Sequence, residues 1–434
     1  MPPPLVDDNS VRKKGKKNPL SRLFDELRNN QDHMNEVSGD KEIISMKMAD
    51  LNDLFNKMLQ IDKYLKTKPL TLPEIYIWAK NIIKTLPIIT LRDTEEMWMY
   101  DKEEGKYVPN AETYIKSLCT NEETGSARSS TPEVYKKLLL NIQGDTYKSR
   151  KEWEFPTNLV NLNNGLYCKA DGKIYPHNPK YYFTYKLPFN FDPDADCPTF
   201  KNVVNNLFPE EKIRTVIKRW FGYHFMPGYP YQVYLHLCGA SGSGKSHLLQ
   251  GLYILLGKGN FTGFSLQDFE DRSSYATPSI YKKLGNICAD MKTASVKDMS
   301  MMKKLVSTVD VISTRDIYGR TFEFVNSTKM TFVSNKMPIA KLNILADDAV
   351  TRRAMIIKVN KANFIAERID EIIESEASGI FNWAMEGYAE LIVNKSFGYD
   401  LDSMLVWMDN MEGDMPSVSL DLSELDKYPD RNKR

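Results

Sequence analysis

The chain has 434 residues, 42% of them hydrophobic, which is enough for two or three domains with real cores. Its 58 Lys and Arg against 57 Asp and Glu leave a net charge of +1, so bulk charge gives no argument for a nucleic-acid partner, and any such affinity must sit in a local patch or a ring pore. Cys119, Cys168, Cys197, Cys238 and Cys288 are scattered singly, which excludes a zinc ribbon and a disulfide framework, and no apolar run approaches the roughly 18 residues of a membrane span. The expectation is a soluble, cytoplasmic protein.

In chain order, residues 1–40 read as a basic disordered arm around Arg12 to Lys17, with five charges in six positions. Residues 41–90 form a helical segment: Met48, Leu51, Leu54, Phe55, Met58 and Leu59 recur at helical spacing, and a second helix is expected at 72–85. Residues 91–230 read as a smaller α+β domain. Met97–Tyr100 and Lys106–Val108 flank Asp101–Gly105 as a β-hairpin, a second hairpin is drawn around Ala170–Gly172, and helices are expected near 111–145 and 209–224.

Residues 231–360 alternate strands and helices, the pattern of a three-layer α/β core with a mostly parallel sheet. At its start, an apolar run ending at Cys238 is followed by Gly239, Ala240, Ser241, Gly242, Ser243, Gly244, Lys245 and Ser246, and then by the helical run from His247 to Leu256. Strand, glycine-rich turn and helix in this order make a phosphate-binding loop. The turn lets several N–H groups face one anion at a helix N-terminus, Lys245 suits the terminal phosphates and Ser246 a magnesium ion. A nucleoside triphosphate and Mg2+ are the cofactors implied.

Further along, an apolar segment ends in Asp290, placed to hold the magnesium's water shell, and the run from Lys329 reads as a buried strand ending in Asn335, which would position an attacking water. Arg352 and Arg353 precede another strand, where a ring ATPase places a charge-neutralising finger into its neighbour's site. Between these motifs, 311–317 and 321–325 alternate as two strands around Tyr318-Gly319-Arg320, a hairpin with a cationic, aromatic tip. Lys303 and Lys304 share an amphipathic helix with Met299, Met302 and Leu305, as phosphate contacts or as its wet face. His177 and Trp383 read as packing residues. Residues 361–395 are a C-terminal helical segment and 396–434 an acidic tail, nine acids against four bases from residue 400 on.

The phosphate loop, Asp290, Lys303-Lys304-Leu305, Asp310, the run Ser313–Phe324, Ser334-Asn335 and Ala349–Arg353, taken together, resemble the superfamily III helicases of the poxvirus NTPase and phage or plasmid primase type, a branch of the AAA+ ring ATPases. Upstream, Asn161–Leu166, Tyr175-Pro176-His177, Tyr185–Pro188, Phe191–Pro198 and Phe221-Gly222-Tyr223 extend the likeness. Downstream, Ser378–Tyr388 resembles the helical segment that closes the family's motor, so about residues 90–395 are covered.

The resemblance implies a P-loop AAA+ type core and an ATP-dependent replicative DNA helicase of a virus, plasmid or integrated element. It would act on single-stranded or forked DNA as a ring, a hexamer, beside a separate primase or polymerase. The tip hairpin would line the ring's channel, so Arg315, Tyr318 and Arg320 are candidate DNA contacts together with Lys303 and Lys304. The alternative is an origin-bound initiator or loader whose ATPase only switches assembly; a small-molecule phosphotransferase is a third reading. Two departures from the family stand out. Asp290 is a lone acid between Ala289 and Met291, which leaves Asp290, Glu270 and Asp271 as candidates for the residue that orients water, and no primase pattern precedes the resembling region.

Overall fold

The computed structural model describes residues 72–120, 132–271, 275–291, 298–315, 320–335, 352–362 and 368–399. The basic arm, the helix expected before residue 67, the tip residue Tyr318 and the acidic run from residue 400 lie outside them. The described parts of 1–88 and 110–146 make one compact unit, and those of 89–109 and 147–434 a second.

The first unit is helical: α1 (Leu72–Thr85), α2 (Ala111–Thr120) and α3 (Pro132–Thr146). Helical spacing brings Ile75, Ala79 and Ile82 to the buried side of α1, and Val134, Leu138 and Ile142 to that of α3. Lys80 and Asp145 pair across the two helices at 3.0 Å.

The second unit begins with two small sheets. One has the order β3-β2-β1-β4, from β1 (Ile88–Leu91), β2 (Met97–Asp101), β3 (Lys106–Pro109) and β4 (Tyr147–Lys148). The other, β5-β6-β7, is built from β5 (Leu159–Leu162), β6 (Gly165–Cys168) and β7 (Ile174–Tyr175). Both hairpins expected from the turn chemistry form here, with Asp101 opposite Lys106 and Leu166 opposite Tyr175. Helices α4 (Pro198–Leu207) and α5 (Glu211–Tyr223) follow.

A five-stranded sheet dominates the rest of this unit. It comprises β8 (Tyr234–Cys238), β9 (Phe261–Thr262), β10 (Gly285–Cys288), β13 (Lys329–Ser334) and β14 (Ala354–Lys358), in the order β14-β8-β13-β10-β9 with every neighbouring pair parallel. The strands β8, β10 and β13 are buried throughout, their polar members His236, Asn286, Lys329, Thr331 and Ser334 included, as in a parallel sheet covered on both faces. Between strands lie α6 (Lys245–Leu256), α7 (Leu266–Glu270), α8 (Ala276–Ser279) and α9 (Ser300–Leu305). The hairpin β11 (Val311–Arg315) and β12 (Thr321–Val325) is a sheet of its own, antiparallel, with Ile312, Phe322 and Phe324 on its buried face.

Two helices close the described chain, α10 (Ile369–Ser375) and α11 (Ala377–Asn394), and they are tied to the segment before the large sheet. The Glu376 carboxylate accepts from the N–H groups of Thr199 and Phe200, both at 2.9 Å, and so caps the first turn of α4 from 176 residues away. Asn382 donates to the carbonyls of Asp192 and Ala195. Trp383 packs its ring on Phe200 and Phe221, and the His177 ring donates from Nε2 to the Leu162 carbonyl at 2.9 Å, so both are the packing residues expected.

Helices α5 and α11 meet through glycines. A Cβ on Gly387 would stand 2.2 Å from the Lys218 carbonyl oxygen, and one on Gly222 would stand 2.3 Å from the Tyr388 nitrogen. Backbone cannot yield as a side chain can, so Gly387→Ala should force the helices apart. The expected loss is about 1–3 kcal/mol, read as a lower melting temperature by circular dichroism. An unchanged melting temperature would mean that the crossing is looser than described.

Candidate functional site

The loop 239–244 is fixed from both sides before any ligand is considered. Gly239 donates to the Ser334 carbonyl at 3.2 Å, the N–H of Ala362 donates to the Ser243 carbonyl at 3.3 Å, and Ser243 itself is buried. Gly239 has no room for a side chain, since a Cβ there would stand 2.5 Å from the Val359 carbonyl oxygen. Gly244, at φ 98°, turns the chain into α6 from the left-handed region that side-chain-bearing residues avoid. The twelve residues of α6 therefore begin with their N-terminal N–H groups turned toward the loop.

Lys245 opens that helix. Its Nζ donates to the carbonyls of Gly239 (2.6 Å) and Ala240 (2.8 Å), and to Asn335 Oδ1 at 3.1 Å. Burial lowers its pKa below the usual lysine value, against the opposing attraction of Cys238 and Asp290. Asp290 lies just past the end of β10 and is exposed, as are Ser246 and Ser241. The structure thus gathers Lys245, Asn335 and the charge of Asp290 at the carboxyl ends of three neighbouring strands. The strand that follows β8 in the chain, β9, lies toward one flank of the sheet, and the strand that follows β13, β14, toward the other. Such a reversal is where open parallel sheets hold ligands.

His236, a residue missed by sequence reading, holds this corner together with Ser334. His236 lies in the middle of β8 and is 2% exposed, and its Nε2 shares a hydrogen bond of 2.9 Å with Ser334 Oγ on β13. Burial pulls its pKa down to about 4, so the ring is neutral at pH 7. This link joins the strand leading into the loop to the strand that ends at Asn335. The only sequence signal was a lone polar residue in an apolar strand.

Arg353 and Arg352 sit elsewhere. The ladder runs from Ala354 opposite Tyr234 to Lys358 opposite Cys238, so Arg353 is level with the start of β8 and the loop with its end. The five residues of β8 lie between the two levels, six steps or about 20 Å at 3.3 Å per residue. Arg353 is partly buried and donates to Gln232 Oε1 at 3.2 Å, whereas Arg352 is exposed. Glu270 accepts from the N–H of Asp298 at 3.3 Å, and Asp271 is exposed. On α9, Met302 and Leu305 are buried, Lys303 is half-buried and Lys304 exposed. Arg315 ends β11 exposed, and Arg320, next to β12, pairs with Glu95 at 2.9 Å.

Two segments match known families. Residues 89–209 match one described as D5 N terminal like, and residues 237–353 match a family of unknown function, DUF5906. Neither match spans half of the chain. No curated protein matches it. Among solved structures, "The A form apo structure of NrS-1 C terminal region-CTR" aligns at 14% identity and a TM-score of 0.48, over 72% of this chain and 68% of that one. "The apo structure of NrS-1 C terminal region (305-718)" aligns at 13% identity and 0.48, over 72% and 69% of the two chains.

Among the described residues no group of three or more His, Cys, Asp or Glu side chains is placed to hold a metal, and no helix is long and apolar enough to cross a membrane. The loop and its surroundings nevertheless suit a nucleotide triphosphate. They offer helix N–H groups, one cation, a hydroxyl and a carboxylate at the carboxyl ends of the strands, beside a loop whose glycines admit close approach of backbone to ligand.

Proposed function

We propose that the chain is an ATP-dependent replicative DNA helicase of a virus, plasmid or integrated element, with a P-loop core of the AAA+, superfamily III type in residues 231–360. The observation that carries this reading is the meeting of Lys245 Nζ with Asn335 Oδ1 beside the phosphate loop. A motor of this kind needs a cation on the terminal phosphates and an amide near the attacking water, and these two residues, one opening α6 and one following β13, lie 90 positions apart. The match of 89–209 to a D5-type N-terminal segment, directly ahead of the proposed motor, supports the same reading.

In this reading the N–H groups of the loop and of the first turn of α6 hold the phosphates, and Lys245 leaves the Gly239 and Ala240 carbonyls to pair with them. Ser246 and Asp290 would hold magnesium, which supplies charge neutralisation at the phosphates. Asn335 orients water once Lys245 has moved to the nucleotide. Arg352 or Arg353 acts in the site of the next subunit of a ring, a hexamer. The hairpin β11–β12 contacts single-stranded DNA through Arg315, Tyr318 and Arg320, with Lys303 and Lys304 as further phosphate contacts.

The test is ATP turnover by the full chain with and without single-stranded DNA, followed by strand displacement on a fork. Turnover stimulated by DNA together with displacement is expected. Stimulated turnover without displacement would identify an initiator or loader, and absent turnover would overturn the site.

A further inference from the structure

The turn between β1 and β2 reaches the β11–β12 hairpin through one ion pair, Glu95 with Arg320, and through Arg150, which pairs with Asp93 and lies over the Phe322 ring. The turn is tight: the N–H of Glu95 donates to the Leu91 carbonyl at 2.8 Å and that of Leu91 to the Glu96 carbonyl at 2.9 Å, with Glu95 at φ 62°. A residue with a Cβ adopts that conformation only where its surroundings fix it. Asp93 supplies the fixing. Its Oδ2 accepts from Arg150 Nε at 2.6 Å, and the Arg150 guanidinium lies 4.1 Å from the Phe322 ring and 4.6 Å from the Tyr281 ring. Only 10% of the Arg150 side chain is exposed. The turn is therefore clamped to the buried face of β12, and the same turn delivers Glu95 Oε1 to Arg320 Nη1 at 2.9 Å.

We infer that Glu95 is a built-in competitor for Arg320, an acid that occupies the guanidinium in the absence of nucleic acid and must be displaced by a backbone phosphate. The inference rests on the reading of the hairpin as a DNA contact. Carboxylate and phosphate offer a guanidinium the same kind of oxygen acceptors, so one excludes the other. Both partners are exposed, 59% for Arg320 and 44% for Glu95, and exposed pairs are weak. A phosphate that also meets Arg315, which stands opposite Thr321 in the ladder, can therefore displace the carboxylate. The upstream segment would in this way set how readily the hairpin engages a strand.

Binding of a fluorescein-labelled oligothymidylate to the nucleotide-free full chain, followed by anisotropy, tests this with Glu95→Gln, Arg320→Gln and the double variant. Glu95→Gln should tighten binding about two- to five-fold at low salt and steepen its salt dependence by up to about 0.7 in log–log slope. Arg320→Gln should weaken binding, and the double variant should bind like Arg320→Gln alone. If Glu95→Gln binds no more tightly while Arg320→Gln weakens, the competition is absent and the hairpin reading stands. A gain that persists in the Arg320→Gln background would show a general charge effect and overturn the inference. No change on Arg320→Gln, or no binding by the parent chain, would remove the hairpin contact and the competitor together.

Discussion

Replacing Lys245 with alanine should leave a folded chain whose ATP turnover is at least about 100-fold below that of the parent, because one preorganised charge at the phosphates is worth that much or more. The side chain is only partly buried, and its acceptors lie at the loop, where water can replace it. The melting temperature should therefore move little. Phosphate release measured beside a circular dichroism melt separates the two effects. Turnover in the parent's range would mean that the loop does not hold the reacting phosphates, however closely Lys245 and Asn335 approach.

The second large effect should come from the arginines at the far end of β14. Since Arg353 lies level with the start of β8, neither it nor Arg352 can reach the loop of its own chain. An arginine that stabilises the transferring phosphoryl group is worth about 10³-fold or more. Arg352→Ala or Arg353→Ala should lose turnover on that scale if it is the finger, and mixing that inactive protein with inactive Lys245→Ala should restore part of it. The restored sites would be composites, each with an intact loop from one subunit and an intact arginine from its neighbour. The two positions differ in a second readout: Arg353 also bonds Gln232, so its loss should lower the melting temperature, whereas exposed Arg352 should not. Mixed assemblies that form without recovering turnover would place the finger elsewhere.

What could be read from the sequence was local. Glycine, lysine and serine between an apolar strand and an amphipathic helix announced the loop. The turn residues Asp101–Gly105 announced the β2–β3 hairpin, and helical periodicity drew α1 at 72–85 as it is found. Alternation likewise drew β11 and β12, with Ile312, Phe322 and Phe324 turned inward. Side-chain period and backbone preference are properties of a few consecutive residues, so one chain segment is enough to display them.

The strand order β14-β8-β13-β10-β9, by contrast, exists only in the fold. It brings Asn335 to Lys245, sets Ser334 against His236, and carries Arg353 away from the loop that it was expected to serve in a neighbour. The pairing of Glu95 with Arg320 across 225 positions, the capping of α4 by Glu376 and the contact of Gly387 with the Lys218 backbone are of the same kind. Each depends on burying apolar surface from distant segments in one core, and the partners that this burial brings together leave no periodic trace in either segment alone. The sequence by itself therefore determined the local elements and the chemistry each could carry, and the tertiary structure decided which of those chemistries face one another.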